Sequence, residues 1–182
     1  MGIDGRSDQE LMAGVARGEM AALGELVRRH QDKALALAFR MLRRWDLAED
    51  VAQDAFLRVH RAAPRYSPDA KFTTWLYRIV ANLCLDHQRR AGRAPAALGD
   101  DAPEPAAEPS PDPLVRAERA ARVQQALDTL PERQRTAVIL HRYEGLSHRE
   151  VGEAMGASAK AVESLLVRAY ARLREELADL QE

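Results

Sequence analysis

With 182 residues, 46% hydrophobic and 30% charged, the chain is long enough for one or two domains with packed cores and well-solvated surfaces. The one cysteine, Cys84, excludes an intrachain disulfide framework and a cysteine-rich zinc site. No apolar run approaches the ~20 residues of a membrane span, and the polar, acidic start MGIDGRSDQE is no secretory signal, so a cytoplasmic protein is expected.

Ala, Leu and Arg are abundant and runs of Val, Ile and Thr nearly absent, which predicts an all-α fold. The net charge of −1 hides an uneven distribution. Residues 1–93 carry 16 basic and 12 acidic side chains, residues 94–113 none and 5, and residues 114–182 carry 11 of each. A basic first part and an acidic strip bear more on nucleic-acid binding than the total does.

In chain order, SDQELMAGVARG opens with Ser7 and Glu10 in capping-box spacing and stops at Gly18. A long helix is expected from about Ala21 to Leu42, with Leu23, Leu26, Val27, Leu37, Phe39 and Met41 as its apolar content. RWDLAEDVAQDAFLRVHR restarts with Asp46 and Glu49 as another capping box, and Leu47, Val51, Ala55 and Val59 mark one face. After a loop with Pro64 and Pro68, FTTWLYRIVANLCLDHQRR sets Trp75, Leu76, Ile79, Val80 and Leu83 in a core stripe. Tyr77 is left undecided between core and surface.

The strip APAALGDDAPEPAAEPSPDP, Ala94 to Pro113, holds six of the nine prolines and no basic residue. It is expected to be an extended, flexible linker spanning up to about 60 Å. The predicted organisation is therefore a domain at 1–93, a linker at 94–113 and a domain at 114–182.

The second domain starts with Asp112 as N-cap and Pro113 at the first helical position. Pro131 opens the next helix, PERQRTAVILHRY, which ends at Gly145. Then Ser147 and Glu150 form a capping box, Gly156 suits a left-handed helix end, and Ser158 suits the next N-cap. Two helices across a break of about three residues fit a DNA-binding helix-turn-helix. Val162, Leu165, Leu166, Ala169 and Leu173 are expected to pack inward. Lys160, Glu163, Ser164, Val167, Arg168 and Arg172 are left mostly outside, where basic and small polar groups can meet phosphates and base edges. By itself the stretch also fits two ordinary core helices with a solvated charged face.

LPERQRTAVILHRYEGLSHREVGEAMGASAKAVESLLVRAYARLREEL closely resembles region 4 of bacterial sigma factors of the extracytoplasmic function group, within the sigma-70 family. DLAEDVAQDAFLRVHR resembles their region 2.2, and FTTWLYRIVANLCLDHQRR their regions 2.3 and 2.4. The resemblance spans nearly the whole chain in the family's order, with the linker between.

It implies a non-enzymatic alternative sigma factor that binds core RNA polymerase, directs it to promoters and needs no cofactor or metal. The residues implied to dock on the polymerase clamp are Asp50, Gln53, Asp54, Phe56, Leu57 and Arg58, with one of Phe56 and Leu57 expected in the core. The melted −10 element is implied to meet Tyr66, Lys71, Arg78, Asn82, Asp86, Arg89 and Arg90. An extruded base must be offset by a pocket and backbone contacts, Asn82 can donate and accept, and Tyr66 can stack. The duplex −35 element is implied to meet Ser158, Lys160, Glu163, Ser164, Val167, Arg168 and Arg172. Family members often carry a basic residue where Glu163 and Leu165 stand. A carboxylate there is repelled by phosphates but can accept from cytosine N4. The acidic linker either mimics a phosphate chain in the polymerase channel or is a solubilising spacer. With no sensor segment after Glu182, control by an anti-sigma factor is expected.

Two rivals are a sigma-like decoy that binds an anti-sigma factor without DNA and a plain helix-turn-helix regulator. Arg89, Arg90, Lys160 and Arg168 argue against the first, and the region 2 motifs are superfluous to the second. An enzyme is the weakest reading: Cys84 and His87 share a helix, but no phosphate loop, metal-ligand cluster or nucleophile elbow accompanies them.

Overall fold

The N-terminal segment folds as its capping chemistry dictates. Ser7 and Glu10 exchange bonds across the first turn of α1 (Asp8–Ala16): the Glu10 amide donates to Ser7 Oγ at 3.3 Å and the Ser7 amide to Glu10 Oε2 at 2.6 Å. The computed structural model describes residues 2–67, 71–91 and 113–178, and the described elements are all helical. The chain divides into two compact units, Met1–Pro103 and Glu104–Glu182. The predicted linker, including Asp112 as N-cap, lies outside the described residues apart from Pro113.

In the first unit, α2 (Met20–Leu42) is the central element and packs against α1, α3 (Trp45–Ala62) and α4 (Phe72–Ala91). Leu11, Met12, Leu26, Leu37, Met41, Val51, Val59, Leu76 and Val80 form the fully buried core. Burial of each such side chain stabilises by about 1.5–3 kcal/mol. The α2–α3 corner is tight. Arg43 takes a left-handed φ of 55°, its amide donates to Phe39 O at 2.8 Å, and its guanidinium lies 5.1 Å from the Phe39 ring centroid. Gln88 Nε2 of α4 donates to Met41 O at 2.7 Å, closing the end of α2.

Two expectations for this unit are corrected. The capping box at Asp46 and Glu49 is not formed: α3 begins at Trp45 with Arg44 as N-cap and no side-chain cap bond. Both carboxylates have other donors, Asp46 the Arg44 guanidinium and Glu49 the Trp45 indole N–H at 3.0 Å. Trp75 and Ile79 are not in the core stripe but half-buried at its edge, while Tyr77 is buried. Leu76, Val80 and Leu83 hold the stripe, and Cys84 is fully buried beside it.

The second unit consists of α5 (Pro113–Asp128), α6 (Glu132–Val138), α7 (His148–Met155) and α8 (Ala159–Glu176), with α6 and α7 packed on α8. The segment after Pro131 is not one regular helix: Ile139–Tyr143 widens into a π-helical turn. The Glu144 amide donates to Ile139 O at 3.3 Å, the Leu146 amide to Leu140 O at 3.1 Å, and His141 Nδ1 to Leu146 O at 2.8 Å. Leu140 and Leu146 are both buried, so the loosened turn holds the chain against the core as it enters α7. Buried Ile139, Leu140, Val151 and Val162 centre this smaller core.

The α7–α8 turn depends on two glycines. Gly156 ends α7 at φ 62°, in the left-handed region that disfavours a Cβ. A Cβ on Gly152 would lie 2.5 Å from the Ala157 carbonyl oxygen, so a glycine there lets the two helices approach. Ser147 with Glu150 caps α7, and Ser158 Oγ accepts from the Ala161 amide at 3.2 Å to start α8.

Candidate interaction surfaces

On the first unit, α2 and α3 leave an open groove of about 650 Å³ between them. Leu23, Val27 and Leu35 of α2 and Ala52, Phe56 and Leu57 of α3 make it apolar, while Gln31, Asp32, Glu49 and Gln53 supply polar groups. Phe56 is 8% exposed and Leu57 50%, so one of the pair is core and the other stands in solvent. Of the residues expected to dock on polymerase, Gln53, Phe56 and Leu57 line the groove. Asp50, Asp54 and Arg58 share α3 but not the lining, and Asp54 Oδ2 pairs with Arg58 Nε at 3.3 Å. The α2 half of this surface was missed in the sequence, because Leu23 and Val27 read as ordinary apolar content of a long helix and Leu35 does not stand out.

The outer face of α4 carries the second group. Arg78, Asn82, Arg89 and Arg90 are exposed along it, Asp86 is half-buried, and Lys71 is exposed just before the helix. Asp86 pairs with Arg89. Tyr66 is not free to turn: its ring packs on Trp75 at 5.0 Å and Phe72 at 6.5 Å, and His30 adds a contact to Phe72 at 5.1 Å. The Tyr66 hydroxyl is buried with no hydrogen-bond partner among the described residues, and burial, then the Asp8 charge, pushes its ionisation up. Asp8 anchors this cluster to α1 by accepting from His30 Nε2 at 2.9 Å and Arg29 Nη1 at 3.2 Å. Residues 68–70 lie outside the described residues.

On the second unit, α8 presents Lys160, Glu163, Ser164, Val167, Arg168 and Arg172 outward, all exposed, with Ser158 at its N-cap. Val162, Leu166 and Ala169 are buried. Leu165 and Leu173, expected inside, are only half-buried. Leu165 sits off the Val162–Leu166–Ala169 line, and Leu173 lines a 340 Å³ groove with Val123, Leu127, Tyr143, Tyr170 and Leu177. That groove gave no sequence signal, since its residues come from separate helices whose packing periodicity does not specify. Arg168 is held in place by a bond from its Nε to Ser164 O at 3.1 Å.

Among the described residues no group of three or more His, Cys, Asp or Glu side chains can hold a metal ion, and no helix is long and apolar enough to cross a membrane.

A groove on one unit and a projecting second helix of a helix-turn-helix on the other match two known modules in order. Sigma-70 region 2 matches residues 26–94, and Sigma-70, region 4 matches residues 120–173. The chain is 39% identical over 168 residues to the ECF RNA polymerase sigma factor SigM of Mycobacterium tuberculosis, covering 92% of this chain and 83% of that protein. The chain belongs to the sigma-70 family, in its extracytoplasmic function group. It is also 41% identical over 169 residues to the ECF sigma factor SigE of Mycolicibacterium smegmatis, covering 90% of this chain but 65% of that longer protein. Among solved structures, CnrH in complex with the cytosolic domain of CnrY is 31% identical with a TM-score of 0.69, over 97% of this chain and all of that one. In family terms, the α2–α4 surfaces belong to region 2 and the α8 surface to region 4.

Proposed function

We propose that this alternative sigma factor divides promoter-directed initiation between its two units. Residues 1–93 bind core RNA polymerase and the melted −10 element, residues 94–113 act as the linker, and residues 114–182 read the duplex −35 element. The observation that carries this reading is the coexistence, in the family's order, of a region 2 match containing an apolar groove and a region 4 match with an exposed helix-turn-helix face.

The groove suits a partner helix. Its half-exposed Leu57 supplies an apolar anchor, and Asp50, Gln53, Asp54 and Arg58 supply polar groups around it. On α4, Asn82 has both a donor and an acceptor for an unstacked base, and Lys71, Arg78, Arg89 and Arg90 offer cations to the backbone, with Asp86 orienting Arg89. The packed Tyr66 leaves at most part of its ring for stacking. On α8, Lys160, Ser164, Arg168 and Arg172 meet phosphates and base edges, with Ser158 at the helix start.

The protein works in the cytoplasm as a polymerase subunit, not as an enzyme. An anti-sigma factor is its regulator, as the family resemblance implies; the CnrH relative has been solved in complex with a protein partner, the cytosolic domain of CnrY.

Affinity copurification of the full chain from its native host tests this reading. Core polymerase subunits are expected in the eluate, and their absence in the presence and absence of any bound inhibitor contradicts it. Asn82→Ala is expected to reduce permanganate reactivity of the −10 region more than closed-complex formation. Equal losses of both would remove Asn82 from the melting step.

A further inference from the structure

We infer that Glu163 and Val167 are specificity-determining residues which make this protein select a −35 element containing a cytosine and, about two base pairs from it, a thymine. The inference deepens the region 4 reading and rests on it.

A carboxylate on a helix that approaches DNA is repelled by phosphates, so its presence has to be accounted for. Glu163 lies on the exposed side of α8, between Lys160 and Val167. Among the described residues no hydrogen bond or ion pair engages either Glu163 or Lys160. Glu163 is therefore neither a helix-stabilising pair member nor a cap: α8 is capped by Ser158. A carboxylate held only by the helix backbone has acceptor lone pairs to spare. In the major groove the exocyclic amines of cytosine and adenine offer donors and guanine offers acceptors only; adenine's amine stands beside its N7 acceptor, which repels a carboxylate, so cytosine is the better match.

Val167 makes the same argument by a different chemistry. It is 65% exposed, the most exposed of the large apolar side chains among the described residues, and sits one helical turn after Glu163. A β-branched apolar group at the centre of a polar face gains nothing from water, and the thymine C5-methyl is the apolar feature of the groove it can cover. One turn advances about 5.4 Å along the helix, against about 3.4 Å per base step, which sets the spacing between the two bases at roughly two pairs. Arg168 lies on the other flank, already oriented by Ser164 O, so its contact is independent of the two readers.

The test uses holoenzyme reconstituted from core polymerase and the full chain, on a promoter from which it starts RNA, with the −35 region randomised. Bound fragments are separated by gel shift and sequenced. The wild type should enrich a cytosine and a thymine about two positions apart. Glu163→Ala should lower the cytosine preference about fivefold or more and leave the thymine column intact. Val167→Ala should flatten the thymine column alone, and Glu163→Arg should replace the cytosine by a guanine preference. An unchanged cytosine column in Glu163→Ala overturns the inference. So does a uniform gain in binding to every sequence, which would make Glu163 only a repulsive solvated charge. If the wild type enriches no −35 sequence at all, the region 4 reading itself fails, a result distinct from either of these. Thermal unfolding of each variant guards against a folding defect, and all three substitutions lie on exposed positions.

Discussion

Helices α3 and α8 are each 18 residues long, and each buries an apolar stripe against its own unit, Ala48 to Val59 on α3 and Val162, Leu166 and Ala169 on α8. Their outer faces differ. The charged side chains lining the groove are acidic, Glu49 of α3 beside the half-exposed Leu57 and Asp32 of α2. On α8 the stretch from Lys160 to Arg172 exposes Lys160, Arg168 and Arg172 with Glu163 as its carboxylate and Val167 as its largest exposed aliphatic side chain, and Glu175 and Glu176 follow in the last turn. An acidic rim round an apolar trough cannot track a phosphate backbone but suits a helix of another protein. A face whose basic residues, Lys160, Arg168 and Arg172, stand clear of the groove that Tyr170 and Leu173 line suits the major groove of DNA. Amphipathicity alone does not separate these uses; the sign of the outer charges does, together with whether those charges stand around a trough.

The comparison breaks most visibly at Leu57. Leu57→Arg should weaken binding to core polymerase on the order of 100-fold without lowering Tm, because the side chain stands half in solvent. Competition against a labelled sigma factor measures this, and an unchanged affinity moves the docking surface off the trough. The matching change on the other helix, Arg168→Ala, should cost about 1–3 kcal/mol of −35 discrimination in gel shifts while leaving core binding intact. If it alters core binding instead, the two faces are not divided as described.

Ser147→Ala should destabilise the second unit by about 1 kcal/mol through loss of the α7 cap, read from urea unfolding. The smallest effect concerns pH in the first unit. Glu25 is buried and accepts from Arg28 and Arg29, which lower its pKa from 4.5 to about 2. Its folded-state pKa is below its unfolded value, so its contribution is present above about pH 4.5 and is lost as pH falls toward 2. Glu25→Gln should flatten the decline of Tm across that window, and an unaltered acid limb would place the ion pairs outside the stability of the fold.

The same comparison explains what was legible in the sequence. Ser7/Glu10, Ser147/Glu150, Gly156 and Ser158 act within one or two turns, so local chemistry identified them and the helices they bound. The outward set on α8 was legible because one helix carries it. Asp46 and Glu49 have capping spacing too, but Arg44 and Trp45 capture them, a competition that spacing does not display. Trp75 shows the limit of a periodic stripe, since its half-buried place depends on ring contacts with Tyr66, which lies outside its helix, and with Phe72. The α2 wall of the trough was invisible for a related reason: a leucine that faces a neighbouring helix and one that faces a gap beside it have the same spacing.

The central claim is that both faces serve one transcription machine. The most direct measurement is transcription by core polymerase on fragmented host DNA with and without the full chain, mapping RNA 5′ ends. The account predicts new starts that appear only with the chain and share two upstream boxes at one spacing. RNA ends that are the same in both reactions would contradict it.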